Sequence, residues 1–276
     1  MTPSTVWTSN DVSQTVACLV GGLAVVVAFM GVGLAIAQHQ KKLTVVDTMW
    51  GLGFVLIAAE TALVSSGGNG DPTLRWILLA MTAIWGFRLA WHLHNRNSKA
   101  PEDPRYAELS EADGRSFAQV ALNRVFLPQG IAMFLVATPI MVGANNEKVV
   151  TWLVVIGVVV WTIGFLFEAV GDAQLAAFKS DSANKGKLMD QGLWRYTRHP
   201  NYFGDACVWT GIWIVVASSW AGLETVIGPI AMTIFLTKVT GAALNEKGMK
   251  KSKPGYEEYV RRTSGFIPLK PKPPRG

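Results

Sequence analysis

Apolar runs of about 17 to 25 residues recur along this chain, each long enough to cross ~30 Å of hydrocarbon at ~1.5 Å of rise per residue. They fall near 15–38, 46–65, 73–93, 125–143, 149–170, 202–222 and 224–244. The expected fold is all-α: a polytopic membrane protein with about seven transmembrane helices. Only 16% of the residues are charged against 50% hydrophobic, too little charge to cover a soluble domain of this length. Short stretches rich in turn formers, SSGGNGDP (65–72) and GANNEK (143–148), separate some of the runs. Pro128 precedes most of the fourth run, and Pro229 is expected to kink the seventh.

Charge gives the expected orientation. No Lys or Arg precedes the first run, so that run is expected to stay as a helix. With the N-terminus outside and the spans alternating, one side receives all but two of the 25 Lys and Arg residues; the exceptions are Arg75 and Lys148. The positive-inside rule makes the basic side, with the C-terminus, cytoplasmic. The net charge of +6 is then a topology signal, and no nucleic-acid partner is expected. Scattered tail residues such as Lys250, Lys251 and Lys253 read as contacts to anionic membrane lipid. Cys18 and Cys207 lie far apart in apolar runs and read as buried thiols, with no metal site. Residues 1–268 are expected to form one membrane domain. The basic, Pro-rich tail 269–276 is expected to be extended or disordered.

The densest polar stretch is GLWRYTRHPNYFGD (192–205), which runs into an apolar segment. Arg195, Tyr196, Arg198, His199, Asn201, Tyr202 and Asp205 need partners there, and a polar ligand would supply them. Arg suits phosphate; Asn and Asp suit ribose or a carboxamide. An interfacial belt of aromatic and basic residues is the plainer explanation. In EAVGDAQLAAFK (168–179), Glu168, Asp172 and Lys179 share one helical face. In WGFRLAWHLHNR (85–96), Arg88, His92 and Arg96 form a basic stripe with Arg88 deepest; snorkelling to the interface explains it equally. Asp47 opens the second run and can pair with Lys42 or with that stripe. Glu60 lies deeper and reads as structural; His39 and His94 read as interfacial. In EDPRY (102–106), Arg105 and Tyr106 lie in a loop able to cover a ligand.

The run GLWRYTRHPNYFGD resembles the sequence shared by steroid 5α-reductases, sterol C14 and Δ7 reductases and the DUF1295 group. DTMWG, WGFRLAWHL, EDPRY, GDAQLAAFK and GYEEYVRRTSGFIPL look like the DUF1295 pattern, so the likeness covers most of residues 45–268. It implies seven helices with NADPH in a cavity open to the cytoplasm. Carried over by position, Asp172, Lys179, Arg195, Arg198, His199, Asn201, Tyr202, Asp205, Glu246 and Tyr256 would bind the cofactor, with Tyr259 in the same C-terminal region; Glu168 and Tyr196, from the polar stretches themselves, join that cofactor-binding set. Lys179 stands where those reductases have Arg. Steroid 5α-reductases also use a Glu on the second helix and a Tyr on the third. Here Asp47 is the nearest acidic equivalent, and the third helix offers Arg88 and His92 instead of Tyr.

The expected activity is NADPH-dependent reduction of a C=C bond in a hydrophobic lipid or steroid-like substrate. Asp47 with Arg88, or Tyr106 or Tyr202, would supply or relay the proton. A monomer suffices for that chemistry. The setting would be a multi-pass cell membrane, the bacterial inner membrane or the endoplasmic reticulum of a eukaryote. Because isoprenylcysteine carboxyl methyltransferases have a similar RHPxYxG run, an S-adenosylmethionine-dependent methyltransferase stays open. So does a membrane protein that keeps the fold without catalysis.

Overall fold

The computed structural model describes residues 10–98, 102, 106, 115–239 and 242–273. Arg105 lies outside them. Among the described residues there are helices and no strands. Six helices among the described residues are long and apolar enough to cross a membrane: α1 (Val12–Gln40), α2 (Val45–Gly67), α3 (Pro72–Ser98), α4 (Phe117–Gly143), α5 (Thr151–Ser180) and, later in the chain, Trp220–Lys238. The chain is thus a polytopic all-α membrane protein. The expected sixth span is α6 (Pro200–Val216), a 17-residue helix that opens with the polar PNYFGD sequence. Trp220–Lys238 is α7; two short amphipathic helices follow, α8 (Ala242–Ser252) and α9 (Tyr256–Arg262).

Several boundaries differ from the sequence reading for local reasons. α5 runs ten residues past the expected end, so the EAVGDAQLAAFK stretch is its last three turns. α4 contains a π-helical turn, Ala121–Phe126, in which the Leu127 N–H reaches back to Leu122 O. Pro128 has no N–H to continue the regular ladder, and the wider turn takes up the mismatch. Pro229 lies in the first turn of the helical stretch Ile227–Ile234, where no donor is needed, so it does not interrupt a helix interior. The tail is extended through residue 273 but anchored: Leu269 N donates to Tyr196 O and Lys272 N to Arg262 O.

The chain divides into two compact units, Met1–Gly157 with Ile212–Gly228, and Val158–Gly211 with Pro229–Gly276. In the first, α2 and α3 cross where both carry glycine. A Cβ on Gly51 would lie 2.4 Å from Gly86 O, so only glycine allows this approach. Around the crossing, Phe54, Leu78 and Trp85 are fully buried. One end of this unit is tied by polar side chains. Asn146 Oδ1 accepts from Asn10 Nδ2 (3.0 Å) and Ser219 Oγ (2.7 Å), while its Nδ2 donates to Val216 O (2.9 Å). Arg75 is buried and donates to Ser65 Oγ, Ser65 O and Gly70 O, which closes the α2–α3 turn. That gives one of the two basic exceptions a structural task.

In the second unit, the buried positions of α5 are Trp161, Gly164, Glu168, Gly171 and Asp172, a helical stripe. Val159, Ile163, Leu166 and Val170 on the opposite face are exposed, as a lipid-facing surface requires. α6 packs on the stripe through Gly204. A Cβ there would lie 2.4 Å from Glu168 N and 2.5 Å from Gly164 O.

Candidate functional site

The second unit gathers buried ionisable side chains where α6 begins. Pro200 starts the helix, and the preceding segment is pinned on several sides. Trp194 Nε1 donates to Gly171 O (3.0 Å), Leu193 N to Gln174 Oε1 (2.9 Å) and Thr197 Oγ1 to Phe266 O (2.7 Å). The Tyr259 hydroxyl, on α9, donates to Trp194 O (2.6 Å). These bonds fix the backbone carrying Arg198 and His199. Arg198 Nε donates to Glu246 Oε1 (2.9 Å), and its Nη1 to Thr263 O (2.8 Å) and Val260 O (3.3 Å). His199 Nε2 meets the same Glu246 oxygen at 3.0 Å, and its ring stacks on Tyr202 at 5.3 Å. Asn201 Nδ2 donates to Asp172 Oδ1 (3.1 Å), joining α6 to α5. Glu168, Asp172 and Asp205 are all buried.

The electrostatics follow from these contacts. The hydrogen bond from His199 holds the Glu246 carboxyl down to about 2; burial opposes this, and the Arg198 hydrogen bond and charge assist. Burial pushes the Tyr256 phenol up to about 12, and the Glu246 charge adds to that. The Tyr256 hydroxyl is buried beside Arg198 and Glu246, both of which act on it by hydrogen bonding. A buried hydroxyl beside a fixed Arg–Glu–His group can also turn to a ligand with polar atoms.

The first unit holds a second polar group, at the start of α2. The Tyr106 hydroxyl donates to Asp47 Oδ1 (2.8 Å), Gln129 Nε2 approaches that hydroxyl at 3.4 Å, and Arg96 Nη2 meets Asp47 Oδ2 at 3.2 Å. Glu102 accepts from Leu43 N (2.5 Å) and Thr44 N (3.1 Å) and from the Thr44 hydroxyl. A carboxylate on those N-terminal amides is favourable by charge as well as by hydrogen bonding. It also anchors the EDPRY segment that delivers Tyr106.

A family model described as protein of unknown function, DUF1295, matches residues 33–263. The chain belongs to the DUF1295 family. Two curated relatives are similar over a shorter stretch. The steroid 5-alpha-reductase DET2 of Arabidopsis thaliana is 37% identical over 73 residues, 26% of this chain and 27% of the relative. The protein of the same name from Gossypium hirsutum is 30% identical over 78 residues, 28% and 30% of the two chains. The DUF1295 chain thus spans less than a third of the length of the curated relatives it matches. No solved structure gives a significant match.

The structure of this DUF1295 protein sorts the residues singled out in its sequence. Asp172, Arg198, His199, Asn201, Tyr202 and Glu246 are linked by contacts within one unit, with Glu168 and Asp205 buried on the same two helices. Arg195, Tyr196 and Lys179 are exposed. Lys179 keeps the helical phase of Asp172 two turns further along α5, where its side chain is exposed. Arg198, expected to meet phosphate, spends its Nε and Nη1 on the C-terminal segment. Asp47 and Tyr106 pair; Arg88 is half-buried on α3, and Arg96 of the same stripe reaches Asp47. Gln129 and Glu102 have no site role in the sequence reading. A lone Gln after Pro128 carries no local signal, but a carboxylate three residues before an Arg–Tyr pair is a cap candidate that chain distance concealed.

Proposed function

We propose that this DUF1295 protein is a membrane reductase that uses NADPH to saturate a C=C bond in a steroid-like lipid. The observation that carries this is the polar group at the start of α6: Asp172–Asn201, and Arg198 and His199 on Glu246, seated against apolar helices. The steroid 5-alpha-reductase relatives support it.

The donor set suits a nucleotide cofactor. The buried Tyr256 hydroxyl beside Arg198 and Glu246 adds a polar position for one. Asp172, Asn201 and the buried Glu168 and Asp205 would hold hydroxyl or carboxamide groups; the exposed Arg195 and Lys179 would meet phosphates. NADPH bound there would supply a hydride. The side chains of the protein do the rest. Arg198 fixes the C-terminal segment, and His199 holds Tyr202 by stacking. The proton that completes the reduction is assigned to the Tyr202 hydroxyl, on the ring that stacks against His199. Helix walls exclude water and position the lipid. The basic face would be cytoplasmic, where the soluble cofactor is supplied.

Purified protein titrated with NADPH should show a saturable shift in melting temperature. S-adenosylmethionine should produce none, and Asn201→Ala should abolish the NADPH shift. A shift with S-adenosylmethionine and none with NADPH would replace this reading with the methyltransferase.

A further inference from the structure

The geometry points to Trp161 as the hydrogen-bond donor for an oxygen on the lipid substrate, so that the protein selects an oxygen-bearing lipid over its deoxy counterpart. This rests on the reductase reading, whose substrate it specifies further. Trp161 lies in the apolar part of α5, seven residues before Glu168 and so ~10 Å further along the helix from the polar group. It is 8% exposed, and its indole Nε1 has no acceptor among the described residues.

Two features argue against an interfacial tryptophan. Membrane tryptophans at the interface place their N–H among headgroups or water. Trp161 instead lies on the buried stripe of α5, with the exposed lipid-facing residues Val159 and Ile163 to either side. Its ring is also held in place. It stacks on Phe165 with centroids 5.2 Å apart and planes 12° from parallel, so the N–H keeps a fixed direction. A fixed donor with no acceptor, in a segment without water, is costly unless a ligand meets it.

Indole N–H donates only, so the ligand atom must accept: a carbonyl, hydroxyl or ether oxygen. Glu168 and Asp172 share the stripe with Trp161. The substrate class is therefore a long, rigid lipid with its reducible bond near that acidic pair and an oxygen at the far end.

Testosterone and its 17-deoxy counterpart, androst-4-en-3-one, carry the same enone and differ in the far oxygen. Wild-type protein should bind testosterone roughly three- to tenfold more tightly, as one hydrogen bond provides. Trp161→Phe, which keeps the ring stack and removes the N–H, should equalise the two. Equal binding by the wild type, binding of neither steroid, or a preference that survives in Trp161→Phe would each overturn the inference. The wild-type comparison decides even if the variant does not fold. NADPH titration of the same samples tests the reductase reading separately. A steroid preference lost in Trp161→Phe without NADPH binding would sink that reading and leave the Trp161 contact standing.

Discussion

The Tyr106 hydroxyl donates to Asp47 Oδ1 at 2.8 Å, pairing a phenol from beyond α3 with a carboxylate in the first turn of α2. The phenol has one proton, and it is committed to the carboxylate, so the pair ties Tyr106 to the start of α2. Tyr106→Phe should lower the melting temperature, by a loss of roughly 0.5–1.5 kcal/mol for the hydrogen bond and somewhat more for the partner taken from Asp47. Asp47→Asn should fall between the wild type and that variant, because the phenol can still donate to the amide oxygen. Melting curves of the three proteins measure both. A Tyr106→Phe protein that melts with the wild type would show that this tie contributes nothing to stability.

Glu246 makes stability depend on acid pH in a defined direction. Its folded value is about 2 against an ordinary 4.5. A depressed carboxyl contributes stability above the unfolded value and loses it as pH falls toward the folded one. The wild type should therefore melt above Glu246→Gln at neutral pH. That advantage should shrink between about pH 4.5 and pH 2, because protonation turns the carboxylate into the neutral group that Gln already is. Melting curves of the two proteins across this range provide the check. A gap of constant size down to pH 2 would show that Glu246 acts by packing.

Asn201 joins α6 to Asp172 on α5 by one hydrogen bond of 3.1 Å. Removing it takes away a partner for Asp172 and a ligand contact together. Asn201→Ala should weaken NADPH at least tenfold, while Asp172→Asn, which keeps the shape, should weaken it less. Fluorescence quenching by NADPH measures both. The reverse order would make Asp172 the principal contact.

The helical fold was legible because the period and length of apolar runs are local properties. So was the α6 cluster, because Arg198, His199, Asn201, Tyr202 and Asp205 are neighbours in the chain. The Glu246 contact was placed only through a family pattern, since nothing local in ALNEKGMK announces a partner 47 residues away. The Asp47–Tyr106 pair became visible only in the tertiary structure. Its distance along the chain, 59 residues, exceeds what periodicity reports. Lys179 marks what phase leaves out: it shares a helical face with Glu168 and Asp172 but is exposed where they are buried.

Gly204 tests whether the close approach of α5 and α6 sets the site. A Cβ at this position meets Glu168 N at 2.4 Å and Gly164 O at 2.5 Å, both backbone atoms that cannot rotate away. Gly204→Ala must therefore separate the helices, at a cost of about 1–3 kcal/mol as for other overpacked positions. Separation would shift Asn201 and Asp205, on α6, away from Glu168 and Asp172, on α5. Melting temperature and NADPH affinity should fall together. Gly248→Ala is the control: it lies in α8 with nothing within 4 Å of the added carbon, and alanine favours helix by about 0.5–1 kcal/mol. It should be neutral or slightly stabilising. If Gly204→Ala binds NADPH as tightly as wild type despite a lower melting temperature, the α5–α6 contact serves the fold and not the cofactor.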